Sequence, residues 1–100
     1  MDMKNMMKQA RKMQMELEKA QEEVAGYSAE ASAGGGVVKA VASGDQRIQS
    51  ITIDPAAVDP EDVEMLEDLV LAAVNDALNR VAELANARMN AVTGGAGLPF

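Results

Sequence analysis

Basic side chains crowd the stretch MKNMMKQARKMQMELEKAQEE near the start of the sequence, although the whole chain carries a formal net charge of −7. The stretch contains five positively charged residues: Lys4, Lys8, Arg11, Lys12 and Lys19. Ammonium and guanidinium groups that share one face of a helix can bind the phosphate oxygens of a polyanion. If the same groups are scattered, they only solvate the surface, so their spacing decides what chemistry they can do.

Apolar or small residues in this stretch recur at alternating intervals of three and four, which is the pattern of a coiled-coil-like seam. These seam residues are Met3, Met6, Ala10, Met13, Leu17, Ala20 and Val24. With Met3 at heptad position a, all five bases fall at positions b, c and f, on the face opposite the seam. No acid interrupts the bases between Lys4 and Lys12. The N-terminal half of the helix therefore carries a compact positive patch, which is either a phosphate-binding surface or a solvated outer face.

A first helix from Asp2 to Ala25, ended by Gly26, is predicted to position this patch, because the run lacks Gly and Pro and is rich in helix formers. The runs YSAEASA, VVKAVAS and RIQSITI follow, separated by glycine-rich breaks. They predict a three-stranded antiparallel meander between Tyr27 and Ile53.

A second long helix is predicted after the stop signal Asp54-Pro55. Asp59 is expected to cap it, with Pro60 at its first position, and the helical pattern runs to about Val92. The fold class is therefore α+β, in the order α-β-β-β-α. We expect one domain over residues 1–93 and a flexible glycine-rich tail over 94–100.

The second helix has more apolar surface than one small body can cover. It spans roughly 50 Å, while a compact chain of this size has a radius of gyration of about 13 Å. Nearly every face of the stretch LVLAAV is apolar. We therefore predict a homodimer, with Leu69, Val70, Leu71 and Val74 in its interface.

Catalysis is disfavoured by composition. The chain has neither Cys nor His, which removes the thiol nucleophile, the thiolate ligand and the commonest general base. The acids of DPAAVDPED lack the alternation and the turn glycine of a calcium loop, and no GKS or GKT follows the three glycines at 34–36. We predict no enzyme activity, cofactor, metal or small-molecule substrate. No apolar run approaches the length of a membrane span, so a cytoplasmic protein without a membrane partner is expected.

The sequence resembles the YbaB/EbfC family of bacterial nucleoid-associated proteins. The resemblance runs over essentially the whole chain, through MKNMMKQARKMQMELEKAQEEV, GGGVVKAVASG, IDPAAVDPEDVEMLEDLVLAAVNDALNRV and the tail ending LPF. It implies a tweezer-like homodimer that lies on the nucleoid and binds double-stranded DNA through its helical arms. By position, the DNA-binding residues implied here are Lys4, Lys8, Arg11 and Lys12, with Arg88 as a further candidate.

Two functions remain open from the sequence. The first is a homodimeric DNA-binding protein of the nucleoid that contacts phosphates with low sequence specificity and affects nucleoid organisation or gene expression. The second is an acidic scaffold that docks to an unidentified protein partner, with weak or lost DNA binding. The net charge of −7 favours the second, and the segregated basic patch favours the first.

Overall fold

A computed structural model describes residues 2–95 and confirms the α-β-β-β-α order. The elements are α1 Met3–Ala25, β1 Ser28–Ala33, β2 Val38–Ser43, β3 Ile48–Ile53 and α2 Val63–Gly95, with a short 3-10 turn at Pro55–Ala57. Helix α2 continues through Gly94 and Gly95, where the sequence pattern predicted its end. The remainder of the predicted tail, residues 96–100, lies outside the described residues.

The three strands form one antiparallel sheet in the order β1-β2-β3. The turn between β1 and β2 is made by Gly34, Gly35 and Gly36, which all have positive φ angles, a conformation that glycine adopts at little cost. Alternate residues of β2 face α2 and are fully buried, namely Val38, Ala40 and Ala42. The meander predicted from the glycine-rich breaks is therefore confirmed.

The core lies between the sheet and α2 and consists mainly of small side chains. Ala73, Ala77 and Val81 of α2 are fully buried against β1 and β2, and Val38 and Val81 are the largest side chains buried to this degree. Since alanine leaves little volume between helix and sheet, α2 can lie close to the strands. Ile51 of β3 remains 45% exposed, so the outer strand is less completely covered.

The predicted start of α2 at Asp59 and Pro60 is wrong by one turn. The Asp59 carboxylate accepts a hydrogen bond from the Glu61 N–H at 2.9 Å, which closes a separate turn. The helix begins at Val63, where the Asp62 carboxylate accepts from the Met65 N–H at 3.3 Å. Two candidate caps stand three residues apart, and the later one satisfies the free N–H of the first helical turn.

Helix α1 packs against the C-terminal half of α2 through only part of its length. Ala20 is fully buried, Leu17 and Val24 are half-buried, and Glu16 and Lys19 lie beside Ala91 and Val92 of α2. Because Glu23 contacts Arg88 while the earlier residues Glu16 and Lys19 lie beside the later residues Ala91 and Val92, the two helices are antiparallel.

The N-terminal half of α1 extends as a free arm. With Glu23 beside Arg88, a rise of about 1.5 Å per residue brings Gly95 level with approximately residue 16 of α1. Residues 2–12 are all exposed, including the seam methionines Met3 and Met6. The described chain measures 71 × 22 × 16 Å with a radius of gyration of 19.7 Å. Within the described residues the projecting part is the N-terminal half of α1, whereas the sequence pattern predicted that α2 would project beyond the compact body.

Candidate nucleic-acid interface

The predicted basic patch, formed by Lys4, Lys8, Arg11 and Lys12, lies on the free arm. All four side chains are exposed. Lys4, Lys8 and Arg11 line one shallow hollow on the helix surface, and Lys8, Arg11 and Lys12 line the next. The patch covers about 12 Å of the helix axis. The structure thus brings these four predicted residues together on one continuous surface.

Ion pairing separates this patch from the three arginines that lie elsewhere in the described chain. Within residues 2–95, Lys4, Lys8, Arg11 and Lys12 form no salt bridge. Lys19 and Lys39 are also unpaired within residues 2–95, but they lie outside the patch. The pairs that occur are Arg47 with Asp45 at 3.9 Å, Arg80 with Asp76 at 3.2 Å and Arg88 with Glu23 at 2.7 Å. The arm therefore presents charges that an incoming anion can neutralise without displacing a carboxylate.

Arg88, the fifth predicted DNA-binding residue, lies apart from the patch. Its guanidinium Nε donates to the Glu23 carboxylate, and it lines a hollow with Glu16 and Lys19 near the base of the arm. The hydrogen bond to Arg88 lowers the pKa of Glu23, and the same bond raises the pKa of Arg88. No local sequence pattern indicates this pair, because its members are 65 residues apart.

The largest concentration of acids and the basic patch lie at opposite ends of the molecule. Because α1 and α2 are antiparallel and the arm extends past the described end of α2, the start of α2 lies at the far end of the 71 Å axis. The acids concentrated there are Asp54, Asp59, Glu61, Asp62, Glu64, Glu67 and Asp68. Asp2 lies on the arm, where its carboxylate is engaged with the Lys4 backbone N–H at 3.1 Å as the helix cap. Glu16 and Glu18 follow the patch on the same helix.

The predicted dimer-interface residues divide into two groups. Leu69, Val70 and Val74 are half-buried and pack against the core of their own chain. Leu71 points away from the sheet and remains 59% exposed. The structure therefore assigns much of the apolar surplus of LVLAAV to intramolecular packing and leaves Leu71 as the member free to contact another chain.

The described residues contain neither a candidate membrane-spanning helix nor a candidate metal site. No helix formed by residues 2–95 is sufficiently long and apolar to cross a membrane. The same residues contain no group of three or more acidic side chains placed to hold a common metal ion.

The fold and the basic helical arm indicate a DNA-binding protein. Comparison with known proteins agrees with this class. The model of the YbaB/EbfC DNA-binding family matches residues 1–96. A nucleoid-associated protein of Ruminiclostridium cellulolyticum is 53% identical over 96 residues, covering 96% of this chain and 84% of that protein. One from Desulforamulus reducens is 55% identical over 98 residues, covering 98% of this chain and 93% of that protein.

The fold also has a counterpart among solved structures. The crystal structure of an uncharacterized protein, HP0035, from Helicobacter pylori is similar with a TM-score of 0.72 and 23% identity. The similarity covers 87% of this chain and 91% of that one. The chain belongs to the YbaB/EbfC DNA-binding family, so the resemblance noted from the sequence is confirmed.

Proposed function

We propose that this chain is a homodimeric protein of the bacterial nucleoid that binds double-stranded DNA with low sequence specificity and affects nucleoid organisation or gene expression. The observation that carries the proposal is the free arm of α1, where Lys4, Lys8, Arg11 and Lys12 are exposed and unpaired within residues 2–95. Membership of a DNA-binding family supports it.

Binding through these residues is electrostatic. Each Lys or Arg that reaches a phosphate releases condensed counterions, which supplies affinity without reading the base sequence. A dimer would present two copies of the patch, and the length of the arm lets each patch follow the DNA backbone. Four to six neutralised phosphates per dimer would give a log–log salt slope of about −4 to −5.

The acidic net charge does not prevent such binding at ordinary salt. The Debye length is about 8 Å at physiological ionic strength. The acids at the start of α2 lie at the opposite end of a molecule 71 Å long, so their repulsion on DNA at the arm is screened. The local charge of the arm, rather than the total of −7, then determines whether a phosphate is attracted.

Fluorescence anisotropy with a labelled duplex, repeated over a series of salt concentrations, tests this proposal. We expect binding whose affinity falls steeply as salt rises, with the slope given above. An affinity that stays flat across the series would contradict phosphate contacts, and absence of binding at low salt would contradict the function itself.

The acidic end of the molecule supports a second candidate function. Its carboxylates are exposed around the start of α2, beside the exposed apolar side chains of Val58 and Val63. A protein partner with a basic surface would fit this end, and the chain would then act as a scaffold with weak or lost DNA binding. Absence of duplex binding together with capture of such a partner would favour this function.

A further inference from the structure

Met15 lies on the basic face of α1, one helical turn beyond the patch. With Met3 at heptad position a, Met15 falls at position f, after Arg11 at b and Lys12 at c and before Glu18 and Lys19. Met15 lines the same hollow as Arg11 and Lys12. It is 69% exposed, so its thioether is not used for packing within the described chain.

The seam does not account for Met15. The seam residues Leu17, Ala20 and Val24 are buried or half-buried where the stripe meets α2, whereas position f points away from that stripe. A single exposed apolar residue is ordinary on a protein surface. Met15 differs because it lines one hollow with Lys8, Arg11 and Lys12, so a ligand that neutralises those cations also covers Met15.

DNA would cover this side chain in a defined way. The major groove is about 12 Å wide and admits an α-helix. When the Lys and Arg side chains at positions b and c reach the phosphates on the two walls of the groove, the side chain at position f between them faces the groove floor. The floor presents polar base edges and one apolar group, the C5-methyl of thymine. The thioether is apolar, flexible and polarizable, and thus matches that methyl group.

We propose that Met15 contacts thymine methyl groups in the major groove and gives this protein a modest preference for thymine-containing sites. The inference rests on the proposed DNA-binding function and deepens it. Phosphate contacts by the neighbouring Lys and Arg side chains supply the affinity. Met15 makes the arm prefer positions on the duplex where a thymine methyl group is available. Burial of one methyl group corresponds to about a fourfold preference per contact, which is compatible with low overall specificity.

Uracil substitution isolates the methyl group experimentally. Two duplexes of one A·T-rich sequence are compared by anisotropy, one containing thymine and the other uracil, which lacks only the C5-methyl. We expect the parent to bind the thymine duplex about fourfold tighter or more. Met15→Gln keeps the length and helix propensity of the side chain but should bind both duplexes equally, with the salt slope of the parent.

Met3→Gln is the matched control, because Met3 is 76% exposed on the same helix but lies on the opposite face. It should retain the preference of the parent for thymine. The inference is overturned if the parent does not distinguish the duplexes, or if Met15→Gln retains the parental ratio, which would assign the preference to DNA flexibility. Failure of the parent to bind either duplex would instead reject the proposed function, and this inference with it.

Discussion

At the scale of single residues, ion pairing separates the arginines outside the arm from the basic patch. Arg88 is held by Glu23 at 2.7 Å, and this pair joins the base of the arm to α2. The bases of the patch have no such restraint within residues 2–95. We therefore expect Arg88 to orient the arm. The residues expected to contact DNA are Lys4, Lys8, Arg11 and Lys12.

The Glu23–Arg88 pair should make stability depend on acid pH. Because Arg88 lowers the pKa of Glu23 in the folded chain, the pair contributes fully above the ordinary pKa of a glutamate, and this contribution is lost as pH falls through the lowered value. We expect thermal unfolding to show a larger loss of melting temperature between neutral and acidic pH in the parent than in Glu23→Gln. Glu30→Gln, at an exposed position of β1, should behave as the parent does. Identical pH profiles for parent and Glu23→Gln would contradict the role of the pair.

At the scale of elements, the direction of the arm depends on a close contact between the end of α1 and the β2–β3 turn. The Gly44 N–H donates to the Tyr27 carbonyl at 2.9 Å. A Cβ atom at Gly44 would collide with the carbonyl group of Val24, whose carbon would lie 2.6 Å away. Since the obstacle is backbone rather than a flexible side chain, α1 would have to shift to accommodate it.

Gly44→Ala should therefore destabilise the fold, by about 1–3 kcal/mol if the cost resembles that of overpacking. Chemical denaturation followed by circular dichroism measures this free energy of unfolding. Gly94→Ala is the matched control, because a Cβ there meets no atom within 4 Å, and its stability should be equal to or slightly above that of the parent. Equal stability of parent and Gly44→Ala would show that the contact does not fix the arm.

The elements were largely predictable from sequence, whereas their contacts were not. Glycine-rich breaks and the spacing of the seam residues are properties of residues close in the sequence. They therefore predict where the helices and the strands lie. The start of α2 was misplaced because Asp59 and Asp62 are both good caps, and only the folded chain selects between them. The Glu23–Arg88 pair and the free arm depend on how α1 and α2 align, which no local pattern encodes. The basic patch was predictable because all of it lies on one helix.

At the scale of the whole molecule, we predict a homodimer at micromolar concentration, because large apolar side chains such as Met3 and Leu71 remain exposed. Sedimentation equilibrium should give twice the chain mass of 10.5 kDa. Leu71→Gln should raise the dimer dissociation constant at least about tenfold if this side chain is buried between protomers. Val58→Gln, at a position 50% exposed outside the predicted interface, should not. A parent mass equal to that of one chain would contradict the dimer.

The central claim is that the arm of α1, and not the positive charge of the chain in general, binds DNA. Replacing Lys8, Arg11 and Lys12 together by Gln tests it most directly. The matched control replaces Lys39, Arg47 and Arg80 by Gln, which removes the same charge from strand β2, the β2–β3 turn and the middle of α2. Both variants should keep the parental helicity and mass, because exposed positions away from packing contribute little to stability.

Anisotropy titration of a labelled duplex at low salt is the measurement. We expect the control to bind within a few-fold of the parent and the arm variant to lose detectable binding, because its local phosphate contacts are removed. Equal weakening of the two variants would mean that only net charge matters. Undiminished binding by the arm variant would contradict the assignment of the interface to α1.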